Sequence, residues 1–160
     1  MKPRDRQKAS WQAQVAFYLS IATALFSAFQ WWNNQNEVRI NAAMEISKNY
    51  AKPYEASTVE AVDLAIAGSK LDAAKATALY QMALEYDYVA QLANAGRIDI
   101  DFLSQKVKCG IWLADLAVKG ATRTGVTFDP PLDQLPRLST RFDPLCKSGL
   151  ERRVRRTQSN

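Results

Sequence analysis

No Asp, Glu, Lys or Arg interrupts the chain between Lys8 and Glu37, and the centre of that gap, Val15–Phe29, reads VAFYLSIATALFSAF. Trp11 stands at one edge of the apolar run and Trp31-Trp32 at the other. As a helix rising about 1.5 Å per residue, Trp11 to Trp32 covers on the order of 30 Å, the thickness of a bilayer's hydrocarbon layer. The indoles then fall at the two headgroup levels, where tryptophan concentrates. The pattern predicts a single transmembrane helix over residues 11–32 behind a basic flank over 1–10. A cleaved signal peptide shares the basic start, but Ala22-Thr23-Ala24 lies inside the apolar run and the bulky Phe29-Gln30-Trp31-Trp32 follows it. A buried core helix is disfavoured, because the rest of the chain lacks the apolar surface to cover it.

Projected with helical periodicity, the span is two-sided. Gln12, Ala16, Ser20, Thr23, Ser27 and Gln30 share one side, and Tyr18, Ile21, Leu25, Phe26 and Phe29 the other. Small residues allow close backbone approach and hydroxyls can bond across a helix pair, so Ala16, Ser20, Thr23 and Ser27 form a candidate association face for a second copy. A lone anchor also tolerates such residues anywhere.

Past the span, no Gly or Pro occurs until Pro53, so the helix is expected to continue from the membrane to about Asn49. Ser57-Thr58-Val59-Glu60 has capping-box spacing and predicts a short helix through Ile66, ended near Gly68. A longer helix is expected over Asp72–Ala95, closed by Gly96, with Leu71, Ala78, Met82, Tyr86, Val89 and Ala93 on its apolar face. A fourth should open at Asp99 or Asp101 and stop at Gly120. Its apolar arc is wide, leaving Ser104, Lys108, Asp115 and Lys119 as a narrow polar stripe, which predicts the central helix of the domain. After Ala121 the periodicity fails at Pro130-Pro131, Pro136 and Pro144, so residues 121–160 read as a Pro-rich, basic, largely irregular tail. The fold class expected is all-α: a transmembrane helix, a small bundle of three to four helices over 33–120, and that tail.

Charge sharpens this picture. The net charge of +5 sits at the ends, since Glu37 to Thr127 holds ten bases against eleven acids. Lys2, Arg4, Arg6 and Lys8 before the span outweigh Arg39 and Lys48 after it, which favours a cytoplasmic N-terminus. Arg152, Arg153, Arg155 and Arg156 make the tail a candidate surface for an anionic partner, either lipid or nucleic acid. No aromatic residue interleaves them, so nucleic acid is the weaker choice.

Candidate chemistry is sparse. Histidine is absent, which removes the commonest general base and metal ligand. No nucleophile elbow or phosphate-cradling loop occurs, and Asp99-Ile-Asp101 reads as charge at a helix N-terminus. A minor enzyme reading would need a polar pocket around Asp87, Asp99 or Asp115. Tyr80, Tyr86 and Tyr88 flank Glu85 and Asp87; the plainer reading buries Tyr86 in the core, and the alternative is a docking surface. Cys109 lies in an apolar helical pattern and reads as a buried thiol; a bridge to Cys146 is open only if the domain lies outside the cytoplasm. No catalytic residue, cofactor or metal is expected.

The order of these features, with EVRINAAMEISKNY after the span and LEYDYVAQLANAGRIDIDFLSQKV turning between helices, resembles a family of uncharacterised small bacterial single-span membrane proteins, classed as a domain of unknown function. The resemblance covers roughly Trp11 to Lys119 and implies a membrane protein without assigned activity; the inner membrane is the expected location. The expected function is accordingly a membrane-anchored interaction or scaffold module that self-associates or binds a protein partner, with a tail-borne lipid or nucleic-acid binder as the alternative.

Overall fold

A computed structural model describes residues 3–50 and 53–147 of the chain. It is helical, with no strand among the described residues: α1 Pro3–Asn49, α2 Ala56–Ile66, α3 Ala73–Asn94, a short 3-10 turn Ile100–Phe102, α4 Gln105–Arg123 and α5 Leu135–Ser139. Two compact units divide at Val38 and Arg39.

The first unit is the greater part of α1. A proline in the first helical turn costs no hydrogen bond, and the next proline is Pro53, so nothing in between breaks the ladder. The hydroxyls of Ser20 and Thr23 donate to the carbonyls of Ala16 and Leu19, each at 2.8 Å. They are thereby satisfied within their own helix. Among the described residues one helix, beginning at Gln14, is long and apolar enough to cross a membrane, and none of its apolar stretch is buried.

The second unit is a bundle closed by the last turns of α1, α2, α3, α4 and α5. Arg39–Asn49 contributes Ala43, fully buried, with Ala42 and Ile46 packed beside it. In α2, Thr58, Ala61, Val62 and Ala65 face inward at helical spacing. The expected capping box is absent: α2 begins at Ala56 behind Glu55, which makes no side-chain cap bond, and Ser57 lies inside the first turn. Asp72 does cap α3, its carboxylate accepting from the Lys75 N–H at 2.8 Å. That bond holds the Asp72 carboxyl below its usual range. α2 and α3 end alike, with Gly68 and Gly96 at positive φ and the following N–H returning to Leu64 and Leu92.

α4 packs against α2, α3 and α5 and buries Val107, Ile111, Trp112, Ala114 and Ala117, as expected of a central helix. Three details differ from expectation. Asp99 starts only the 3-10 turn, and Ser104 caps α4 instead of joining its polar stripe. Gly120 does not stop α4, which runs to Arg123; it lies where a Cβ would collide with the Ala65 carbonyl of α2. Asp115, placed by periodicity on the polar stripe, is 4% exposed.

The chain after Ala121 is more ordered than its prolines suggest. Leu132, Leu135, Leu138, Phe142 and Cys146 are all buried in the common core. Pro136 sits in the first turn of α5, where proline fits. The Asp87 carboxylate reaches from α3 to accept the Gln134 and Leu135 N–H groups, both at 2.8 Å. Trp112 Nε1 donates to Asp143 at 2.8 Å. Cys109 and Cys146 are joined in a disulfide, their Cα atoms 5.3 Å apart, so Cys109 is not the free buried thiol expected of it.

Candidate functional site

Three tyrosines meet where α1 gives way to α2. Tyr50 still follows the helical path, its N–H bonded to Ile46 O at 3.0 Å, and Pro53 then prevents the helix from continuing. Tyr54, next to that proline, also lies against α3. Tyr86, on the inner face of α3 and 2% exposed, packs behind both. Its ring centroid lies 5.3 Å from that of Tyr50 and 6.0 Å from that of Tyr54. Room for the Tyr86 hydroxyl comes from Gly110 on α4, since a Cβ there would overlap it.

Glu85, exposed beside Tyr86, gathers the two outer phenols. Tyr50 Oη donates to the Glu85 backbone carbonyl at 3.2 Å and Tyr54 Oη to Oε2 at 3.4 Å. Asn49, Tyr50, Pro53, Tyr54 and Glu85 line a recess of about 350 Å³. Burial, then the nearby Glu85 charge, pushes the Tyr50 phenol up to about 12. Tyr54 is raised further, chiefly by burial, and Tyr86 is likewise raised by burial. These phenols stay protonated at neutral pH. They act as hydrogen-bond donors and ring faces, not as bases.

A second polar group is sealed. Ser139 Oγ donates to Asp115 Oδ2 at 2.5 Å, and Lys119 Nζ reaches the same oxygen at 2.6 Å. Ser139 is 1% exposed, so no substrate reaches it, and the trio fastens α5 to α4. A shallow depression on the outer face of α2 is lined by Ala56, Val59, Glu60, Asp63, Leu64 and Ala67, and Glu60 there is paired with Lys75 at 3.1 Å.

The structure does not gather the carboxylates considered for chemistry. Asp87 holds the start of α5, Asp115 is closed in by Ser139 and Lys119, and Asp99 accepts from the Asp101 N–H at 3.0 Å. No cluster of three metal-ligating side chains occurs among the described residues. Ala16, Ser20, Thr23 and Ser27 are all exposed on α1. Arg152, Arg153, Arg155 and Arg156 lie outside the described residues. Tyr86 is in the core, Tyr80 stacks on Phe128 at 5.5 Å, and Tyr88 is 59% exposed. Sequence reasoning missed Tyr50 and Tyr54. The available signal was Tyr50-x-x-Pro53-Tyr54, two aromatics across a helix-breaking proline.

The described residues thus define a class: an all-helical chain with one helix able to span a bilayer and a small disulfide-linked bundle. No family model, no curated protein and no solved structure matches the chain.

Proposed function

We propose that the protein is a single-span membrane protein whose helical domain is an interaction module on the extracytoplasmic side. The observation that carries this reading is the uncovered apolar rod. Phe17, Leu19, Leu25, Phe26, Phe29, Trp31 and Trp32 are each at least 60% exposed, around a helix that carries no charge from Ala9 to Asn36. Apolar surface of that extent requires a cover, and lipid suits a rod of this length with tryptophans near its ends.

Two independent features support the orientation. The basic flank before the span favours a cytoplasmic N-terminus. The Cys109–Cys146 bridge belongs to an oxidising compartment, which is where the domain then lies. The resemblance of Trp11–Lys119 to small bacterial single-span proteins adds the inner membrane to the proposal. Self-association through Ala16, Ser20, Thr23 and Ser27 is part of it, although Ser20 and Thr23 would add close packing more than hydrogen bonds, being satisfied within α1.

Carbonate extraction of cell envelopes tests the anchor, and a reporter fused after Asn160 tests the orientation. Retention of the full-length chain in the pellet, with a reporter active only outside the cytoplasm, is expected. Release into the supernatant, or an N-terminus beginning after Trp32, overturns the reading.

A further inference from the structure

The recess between the end of α1 and α3 has the chemistry of a receptor for one positively charged side chain. We infer that Tyr50, Tyr54 and Glu85 bind an arginine side chain presented by a partner protein. This rests on the reading of the domain as an interaction module and names what the module recognises.

Several properties of the recess select a cation. Glu85 is exposed and belongs to no ion pair among the described residues, where the pairs are Lys75–Glu60, Lys75–Asp72 and Lys119–Asp115. Asn49 is the last residue of α1, so the recess opens at the negative end of a helix dipole. Tyr50 and Tyr54 line the recess, and aromatic rings attract cations by their quadrupole. Burial keeps both phenols neutral far above physiological pH, so their oxygens remain available as acceptors as well as donors.

Shape then chooses among cations. Pro53 and the two tyrosines give the recess apolar lining against which a methylene stem can lie. A guanidinium is planar, stacks on an aromatic face and presents a fork of donors to a carboxylate. An ammonium is a compact, strongly hydrated charge that gains less from a ring wall. Tyr86, packed against Gly110 behind the outer rings, fixes the lining before any partner arrives, and such preorganisation reduces the cost of binding.

The test uses the full-length chain in detergent micelles, with tyrosine ring signals followed by NMR. The probe is a doubly capped arginine, compared with capped citrulline, its neutral isostere. Saturable shifts of the Tyr50 and Tyr54 signals are expected with arginine and not with citrulline. Glu85→Gln should weaken the arginine response about tenfold or more, since it removes the charged partner. Lys52 lies close in sequence to both tyrosines and outside the described residues, so the titration is repeated in Lys52→Ala, where arginine should bind at least as tightly. No shift in either protein, equal shifts with citrulline, or indifference to Glu85→Gln overturns the inference. Solubilised protein is used throughout, so failure here is separate from failure of the anchor in carbonate extraction.

Discussion

Gly120 of α4 faces the backbone carbonyl of Ala65 in α2, so closely that a Cβ at position 120 would overlap it. The contact lets two helices meet without intervening side chains, next to the fully buried Ala61, Ala65, Ala117 and Ala121. Gly110 makes a similar allowance for Tyr86, but what it meets is the far end of a side chain and not backbone. Alanine at either site gains up to about 1 kcal/mol of helix propensity. Overpacking costs typically about 1–3 kcal/mol and more where nothing can yield. Gly120→Ala should therefore destabilise the domain clearly, and by more than Gly110→Ala, in denaturant unfolding. Equal or reversed effects would show that α2 moves aside freely.

The Asp115–Ser139–Lys119 trio carries a second prediction. Asp115 is a buried carboxylate with both hydrogen-bond donors on one oxygen, and Lys119 supplies the compensating charge from a half-exposed position. Removing the compensation leaves a buried charge, which is costlier than losing a neutral donor. Lys119→Met should cost about 2–4 kcal/mol, and Ser139→Ala about 1–2 kcal/mol. Asp115→Asn, which keeps the shape without the charge, should cost less than Lys119→Met. Thermal unfolding of the three variants gives the order.

Much of this architecture is legible in the sequence. The uncharged stretch from Ala9 to Asn36, the continuity of α1 to Asn49, the start of α3 at about Asp72 and its stop at Gly96 follow from local rules, and each stands close to where those rules place it. Gly120 was misread because the same absent Cβ serves a helix end and a close helix crossing, and only the position of Ala65 distinguishes them. The segment after Ala121 was misread for a related reason. Its ties run from Asp87 to Gln134, Trp112 to Asp143, Asp115 to Ser139 and Cys109 to Cys146, all non-local pairs that periodicity cannot express. The recess was overlooked because its residues come from both sides of Pro53 and from the outer edge of α3.

The disulfide makes the third prediction. It joins positions 37 residues apart, and Cys146 is 4% exposed at the end of the segment that covers α4. A bridge closing a loop of that size stabilises by typically about 2–4 kcal/mol, chiefly by restricting the unfolded chain. Reduction, or Cys146→Ser, should lower the melting temperature by roughly 10 °C for a domain of this size. Proteolysis should then begin between Gly125 and Lys147, while α2 and α3 remain protected. If reduction leaves both the melting temperature and the cleavage pattern unchanged, the bridge adds nothing to the packing of Leu135, Leu138 and Phe142.

Alkaline pH supplies the last prediction. Tyr50 holds its proton up to about 12, against about 10 for an exposed phenol, because it is half-buried beside Glu85. Tyr54 and Tyr86 shift in the same direction. Between those values the folded chain binds more protons than the unfolded one, so stability falls as pH rises. The contribution is complete below pH of about 10 and is lost progressively as pH approaches about 12. The urea midpoint should therefore be flat from neutral pH to the lower value and then drop. In Tyr50→Phe, which keeps the ring and discards the titrating proton, the drop should be shallower. A midpoint that stays constant through this range in the wild-type chain would mean that the three rings at the end of α1 are open to water.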